Sequence, residues 1–71
     1  MTFSEAIIKI RSDLRISQQE LAKLLMVSYA SVNRWENGKH VPNKMTLRVI
    51  TDFCNRNQIE FAYDEKGSDD I

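Results

Sequence analysis

The residues best equipped for chemistry lie close together in residues 28–39 of this sequence. They include the hydroxyl of Ser31, the amide of Asn33 and the guanidinium of Arg34. An amide can form two hydrogen bonds with adenine, and a guanidinium can form two with guanine. Catalysis is not indicated, because the sequence has one histidine, one cysteine, no glycine-rich phosphate loop and no metal-ligand spacing.

Two short helical patterns position these residues. The first begins after Ser17, where a glutamate three residues later completes a capping-box signature. Its apolar residues have i, i+3, i+4 spacing: Leu21, Leu24 and Leu25. The second begins after Ser28, a good N-cap, and should end at Gly38 in a left-handed conformation. Only two residues separate the patterns, so the second helix must leave at a steep angle, which predicts a helix-turn-helix at residues 17–38.

The two helices should bury one face and expose the other. Ala22 is small enough for a close helix crossing, and we expect one buried cluster of Leu21, Leu25, Val27, Val32 and Trp35. The second helix then turns polar or small residues outward, as a helix in a major groove does. The candidate base contacts are Tyr29, Ala30, Asn33 and Arg34, although the helical wheel also allows Asn33 to point to the DNA backbone.

Contacts to phosphates should flank this surface. Gln18 and Gln19 lie in the first turn of the first motif helix, where free backbone N–H groups and the helix dipole favour an anion. The other candidates carry hydroxyl, amide, imidazole or ammonium groups near the second helix or the next helix start: Ser31, Asn37, Lys39, His40 and Lys44.

The motif resembles the DNA-binding domain of the phage repressor and Cro-like helix-turn-helix family, the xenobiotic-response-element-type regulators. The resemblance is carried by the residues 18–22 (Gln-Gln-Glu-Leu-Ala), the Val27–Ser28 turn, residues 32–39 (Val-Asn-Arg-Trp-Glu-Asn-Gly-Lys) and Pro42. It implies an all-α, compact four-helix, possibly five-helix, lambda-repressor-like domain.

The family also suggests roles for single residues. Gln18 and Asn37 match family positions that contact the DNA backbone, and Arg11 matches an arginine that pairs with the glutamate at Glu36. That pair would brace the second motif helix and place Arg11 beside a phosphate. Met26 departs from the family, which has glycine at this left-handed turn position, so either Met26 accepts the strain or the turn changes shape.

Helices are also predicted before and after the motif. Capping signals and apolar spacing predict helices over residues 3–14 and 44–56, the second closed by Asn57 in a left-handed conformation. Residues 59–63 alternate apolar and polar, which predicts a short extended segment, either packed against the helices or paired with its copy in a second subunit. We expect a DNA-binding domain at residues 1–63 and an acidic, disordered tail at residues 64–71.

Charge is divided unevenly along the 71 residues, although the net charge is zero. Up to Ile59 there are nine bases and five acids, a charge of +4, and from Glu60 onward the charge is −4. A basic domain suits duplex DNA. Cys54 stands alone, so no intrachain disulfide forms, and no signal peptide or apolar run of about 18 residues is present. We therefore expect a cytoplasmic protein with no cofactor, metal, membrane or evident small-molecule ligand.

The sequence thus predicts a non-enzymatic, sequence-specific DNA-binding transcriptional regulator, such as a repressor, that acts as a homodimer on a palindromic site. The alternative is a protein-interaction module or antitoxin-like partner with the same fold, which would bind another protein through residues 59–63 and the acidic tail.

Overall fold

The computed structural model describes residues 1–64, and this part of the chain is all-α. Its four helices are α1 (Phe3–Leu14), α2 (Gln18–Leu25), α3 (Tyr29–Glu36) and α4 (Lys44–Arg56). Residues 1–64 contain no β-strand and no fifth helix. The predicted four-helix fold is confirmed. Of the predicted disordered tail, residues 64–71, only Asp64 lies within the described residues.

Each helix begins at a polar cap that the sequence predicted. The capping side chain accepts a hydrogen bond from the backbone N–H three residues later, at Thr2, Ser17, Ser28 and Asn43. α1 and α2 also have complete capping boxes, because the carboxylates of Glu5 and Glu20 accept hydrogen bonds from the backbone N–H groups of Thr2 and Ser17. The helix starts therefore follow from local chemistry.

All four helices end in the same backbone arrangement, with a left-handed residue shortly after the helix. The residues are Arg15 (φ 58°), Met26 (φ 61°), Gly38 (φ 76°) and Gln58 (φ 57°). At each end the N–H of the left-handed residue donates to the carbonyl three residues earlier, and the next N–H donates to the carbonyl five residues earlier. This is the Schellman arrangement, and at three ends the following residue is apolar: Ile16, Val27 and Ile59.

The prediction that Asn57 closes α4 in a left-handed conformation is wrong. Asn57 has φ −102°, and its side-chain amide donates to the Phe53 carbonyl at 2.8 Å. That bond keeps Asn57 close to the helix, and the left-handed residue is Gln58 instead. The Ile59 N–H then donates to the Cys54 carbonyl at 2.8 Å, which directs the Ile59 side chain into the core.

The core is built from the predicted apolar faces. It contains Ile7, Ile10, Leu21, Val32, Trp35 and Ile50 together with their buried neighbours. Ala22 is 4% exposed and Trp35 3% exposed, so both belong to the interior as expected. Val27 is less buried than expected, because it is only half-buried. Leu24, which was not among the expected core residues, is 53% exposed on the outer side of α2.

Residues 59–63 pack against the helices, which is one of the two predicted alternatives for this segment. The Phe3 ring lies 6.2 Å from that of Phe61 and 5.1 Å from that of Tyr63, centroid to centroid. Beyond them, the Asp64 N–H donates to the Met1 carbonyl at 2.8 Å, and the Asp64 carboxylate lies 3.2 Å from the amino terminus. The apolar side of residues 59–63 is therefore used within the chain.

Candidate nucleic-acid interface

α3 buries one side and exposes the other. Val32 is fully buried and Trp35 nearly so, and the Phe3 ring meets the Trp35 ring edge to face at 6.0 Å. On the other side, Tyr29, Ala30 and Arg34 are exposed, whereas Ser31 and Asn33 are half-buried. The exposed side offers a phenol, a methyl group and a guanidinium within two turns of helix.

The start of α3 is fixed by two serines. The Ser28 hydroxyl accepts a hydrogen bond from the Ser31 N–H at 3.1 Å, and the two hydroxyls lie 3.0 Å apart. This bonding holds the first turn of α3 in place, immediately before the exposed Tyr29. The Ser31 hydroxyl retains a lone pair and can still face a partner outside the chain.

The expected pair between Arg11 and Glu36 is present, and it joins α1 to the end of α3. Arg11 Nε donates to Glu36 Oε2 at 2.6 Å, and Arg11 Nη2 donates to Glu36 Oε1 at 2.9 Å. Arg11 Nη1 also donates to the Ile16 carbonyl at 3.2 Å. The Glu36 side chain is 7% exposed, whereas that of Arg11 is 25% exposed, so the guanidinium keeps an accessible edge.

This pairing shifts the ionisation of both groups. The hydrogen bond with Glu36 raises the pKa of Arg11 more than partial burial lowers it. Burial acts to raise the pKa of Glu36, but the hydrogen bonds from Arg11 and Gln18 together outweigh it and leave that pKa below its usual value. Glu36 is therefore held as a carboxylate at neutral pH.

Three amides extend from this pair across α2 and α3, a chain that we call the amide relay. Gln18 Nε2 donates to Glu36 Oε1 at 2.9 Å, and Gln18 Oε1 accepts from Asn33 Nδ2 at 3.3 Å. Asn33 Oδ1 in turn accepts from Asn37 Nδ2 at 3.1 Å. Sequence spacing does not reveal the relay, because its members lie on different elements. Only the i, i+4 spacing of Asn33 and Asn37 could have indicated part of it.

The remaining predicted backbone contacts lie on the surface around α3. Gln19 and Tyr29 line one open depression between α2 and α3, of about 680 Å³. A smaller depression of about 190 Å³ brings together Ser31, Arg34 and His40 beside the cap of α4. Lys39 and Lys44 are exposed, at the end of α3 and at the start of α4. The predicted contact residues therefore surround α3 from both of its ends.

Within residues 1–64 there is no support for a metal site or for a reactive cysteine. No cluster of three or more histidine, cysteine or acidic side chains could hold a metal ion there. Cys54 is a buried free thiol, and burial raises its pKa to about 11. None of the described helices is long and apolar enough to cross a membrane.

Similarity to known proteins defines the class of this chain. The helix-turn-helix family model matches residues 7–57, and the chain belongs to that family. Among curated proteins, it is similar to the HTH-type transcriptional activator BcrR of Enterococcus faecalis, with 36% identity over 53 residues. The matched region is 75% of this chain but 26% of that relative. No solved structure matched significantly.

Proposed function

We propose that this chain is a sequence-specific DNA-binding transcription regulator that inserts α3 into the major groove of duplex DNA. The observation that carries the proposal is the asymmetry of α3: Val32 and Trp35 are buried, while Tyr29, Ala30 and Arg34 are exposed. Arg34 is long enough to bond a guanine edge at two points, and Ala30 or Tyr29 can contact a thymine methyl. Membership of the helix-turn-helix family and the name of the curated relative support the same function.

The surroundings of α3 support contacts to the DNA backbone. Gln18 is the first residue of α2, where the backbone N–H groups outside the capping box and the helix dipole favour a phosphate. The Arg11 guanidinium has an accessible edge beside Gln18. Asn37 and Lys39 are exposed just after α3, and Lys44 is exposed at the start of α4. Gln19 and Ser31 complete the proposed set. These groups position the domain, whereas the exposed residues of α3 read the sequence.

The proposed binding unit is a homodimer on a palindromic site. A single module of this size buries roughly 600–1,000 Å² of protein surface on DNA, which is the low end for specific complexes. Two copies would place one α3 in each of two half-sites, about 34 Å apart along one face of the duplex.

The alternative, a protein-interaction module or antitoxin-like partner, has less support. That hypothesis relied on residues 59–63 and the acidic tail as a surface for another protein, and most of the tail lies outside the described residues. Ile59 is buried, and Phe61 and Tyr63 pack against Phe3, so these side chains already have partners within the chain.

A selection of binding sites from random duplexes tests the proposed function. The wild-type chain should enrich a palindromic sequence. Arg34→Ala should lose the preference at one position of each half-site, because a good bidentate contact contributes roughly 1–3 kcal/mol of discrimination. Arg56→Ala is the matched control, since Arg56 is exposed at the far end of α4 and should leave the enriched sequence unchanged. A wild-type chain that enriches no sequence contradicts the proposal.

A further inference from the structure

We propose that the amide relay withdraws Asn33 from base reading and makes it a positioning residue for Gln18. This inference rests on the proposed function and deepens it, because it assigns base discrimination to fewer residues than the sequence suggests. The residues left to read bases are the exposed ones of α3: Tyr29, Ala30 and Arg34.

To recognise adenine, an asparagine must use both polar atoms of its side-chain amide. The side-chain oxygen must accept from the adenine amino group while the nitrogen of the same amide donates to the ring. In the relay, Asn33 Oδ1 already accepts from Asn37, and Asn33 Nδ2 already donates to Gln18. With a partner on each polar atom the amide plane is fixed, and turning its edge towards a base breaks both bonds at once.

The Asn33 amide retains one N–H for an external partner. A single donor can meet a phosphate oxygen or an acceptor on several kinds of base, so it discriminates poorly between sequences. Arg34 differs, because no hydrogen bond among the described residues holds its guanidinium. It can present two N–H groups to one guanine.

The relay instead holds the Gln18 side chain in position through hydrogen bonds at both of its polar atoms. Its nitrogen donates to Glu36, which is held by Arg11 and is 7% exposed, and its oxygen accepts from Asn33. The second N–H of Gln18 remains available at the start of α2, where a phosphate is favoured. Asn33 therefore ties the phosphate-binding end of α2 to the reading surface of α3.

The test compares Asn33→Ala with Gln18→Ala and Arg34→Ala in the same binding-site selection. Asn33→Ala should keep every base preference of the wild type and weaken binding to all duplexes by about 3- to 10-fold, as the loss of a non-reading hydrogen bond does. Asn55→Ala is the matched control, an exposed helical asparagine on α4, and should leave both affinity and preference unchanged.

Ethylation of single phosphates separates positioning from a purely structural role. One ethylated phosphate per half-site should weaken wild-type binding, partly through lost contact with the Gln18 side chain, and the effect should be smaller in both Gln18→Ala and Asn33→Ala. An ethylation effect of full wild-type size in Asn33→Ala contradicts the positioning role. Loss of an adenine preference in Asn33→Ala overturns the inference alone, whereas a wild type without any preference overturns the proposed function as well.

Discussion

Met26 is the residue at which this chain departs most clearly from the family it resembles. It has φ 61° and ψ 42°, and its side chain is 90% exposed. The turn keeps the left-handed shape that the family achieves with glycine, and the methionine accepts the strain. The hydrogen bond from the Val27 N–H to the Ala22 carbonyl, at 2.9 Å, requires this backbone shape.

Met26→Gly should stabilise the fold. A left-handed conformation costs an L-residue roughly 1–2 kcal/mol, which glycine avoids. Glycine also raises the conformational entropy of the unfolded chain, which lowers stability by about 0.4–1 kcal/mol. A net gain in the free energy of unfolding of about 0.5–1 kcal/mol is therefore expected. Urea unfolding should show a higher midpoint with an unchanged slope. Met26→Ala is the control, because it removes the exposed side chain and keeps the strain. Equal stabilisation by both variants would show that backbone strain is not the cause.

The starts of the helices were predictable from the sequence, whereas the left-handed residues that close α1 and α4 were not. Ser17 and Asn43 indicate helix starts because each side chain accepts a hydrogen bond from the backbone N–H three residues later. A left-handed Arg15 or Gln58 has no such local signal, since neither is glycine or asparagine. The sequence signal for these two helix ends is the apolar residue that follows each left-handed residue. It is informative only when the core against which that apolar residue packs is known.

Part of the candidate site was likewise predictable from the sequence, and part was not. Its exposed members followed from the spacing of Val32 and Trp35, which fixes the outward side of α3. The link between Gln18 and Asn33 did not, because it depends on the distance between two helices rather than on spacing within one. Tertiary packing brings the two amides together, and no propensity encodes it.

The contact between α1 and α3 depends on Glu36 as a carboxylate. Replacement by glutamine leaves the Arg11 guanidinium without its counter-charge and disturbs the attached relay. Loss of one partner of a fully buried pair costs about 3–5 kcal/mol. Because the Arg11 side chain is 25% exposed, we expect a smaller loss. For Glu36→Gln at pH 7 that loss should be about 1–3 kcal/mol.

The cost of Glu36→Gln should also depend on pH. The folded pKa of Glu36 is lowered, so its carboxylate stabilises the fold above the unfolded pKa of about 4.3, and this contribution is lost as the pH falls through the folded pKa. Urea unfolding at pH 7 and at pH 3 should therefore show a smaller difference between variant and wild type in acid. Asp52→Asn, an exposed carboxylate on α4, is the control. A difference that stays constant with pH would mean that the charge of Glu36 does not matter.

At the scale of the whole molecule, α3 is held from several sides. Val32 and Trp35 join it to the core, Arg11 fixes its end to α1, and Gln18 fixes its middle to α2. The exposed residues of α3 are thus presented by a small domain without disulfides in its described part. Such a fixed surface suits DNA, because a preorganised helix loses little conformational freedom on binding.

Contact between α3 and DNA can be measured from the backbone amide shifts of ¹⁵N-labelled protein as an enriched duplex is added at low ionic strength. We predict that the amides of residues 17–20, 28–39 and 44 shift, while those of residues 48–56 and Ile8 do not. Shifts confined to residues 48–56, or no shifts with any duplex, would contradict the central claim that the outer side of α3 meets DNA.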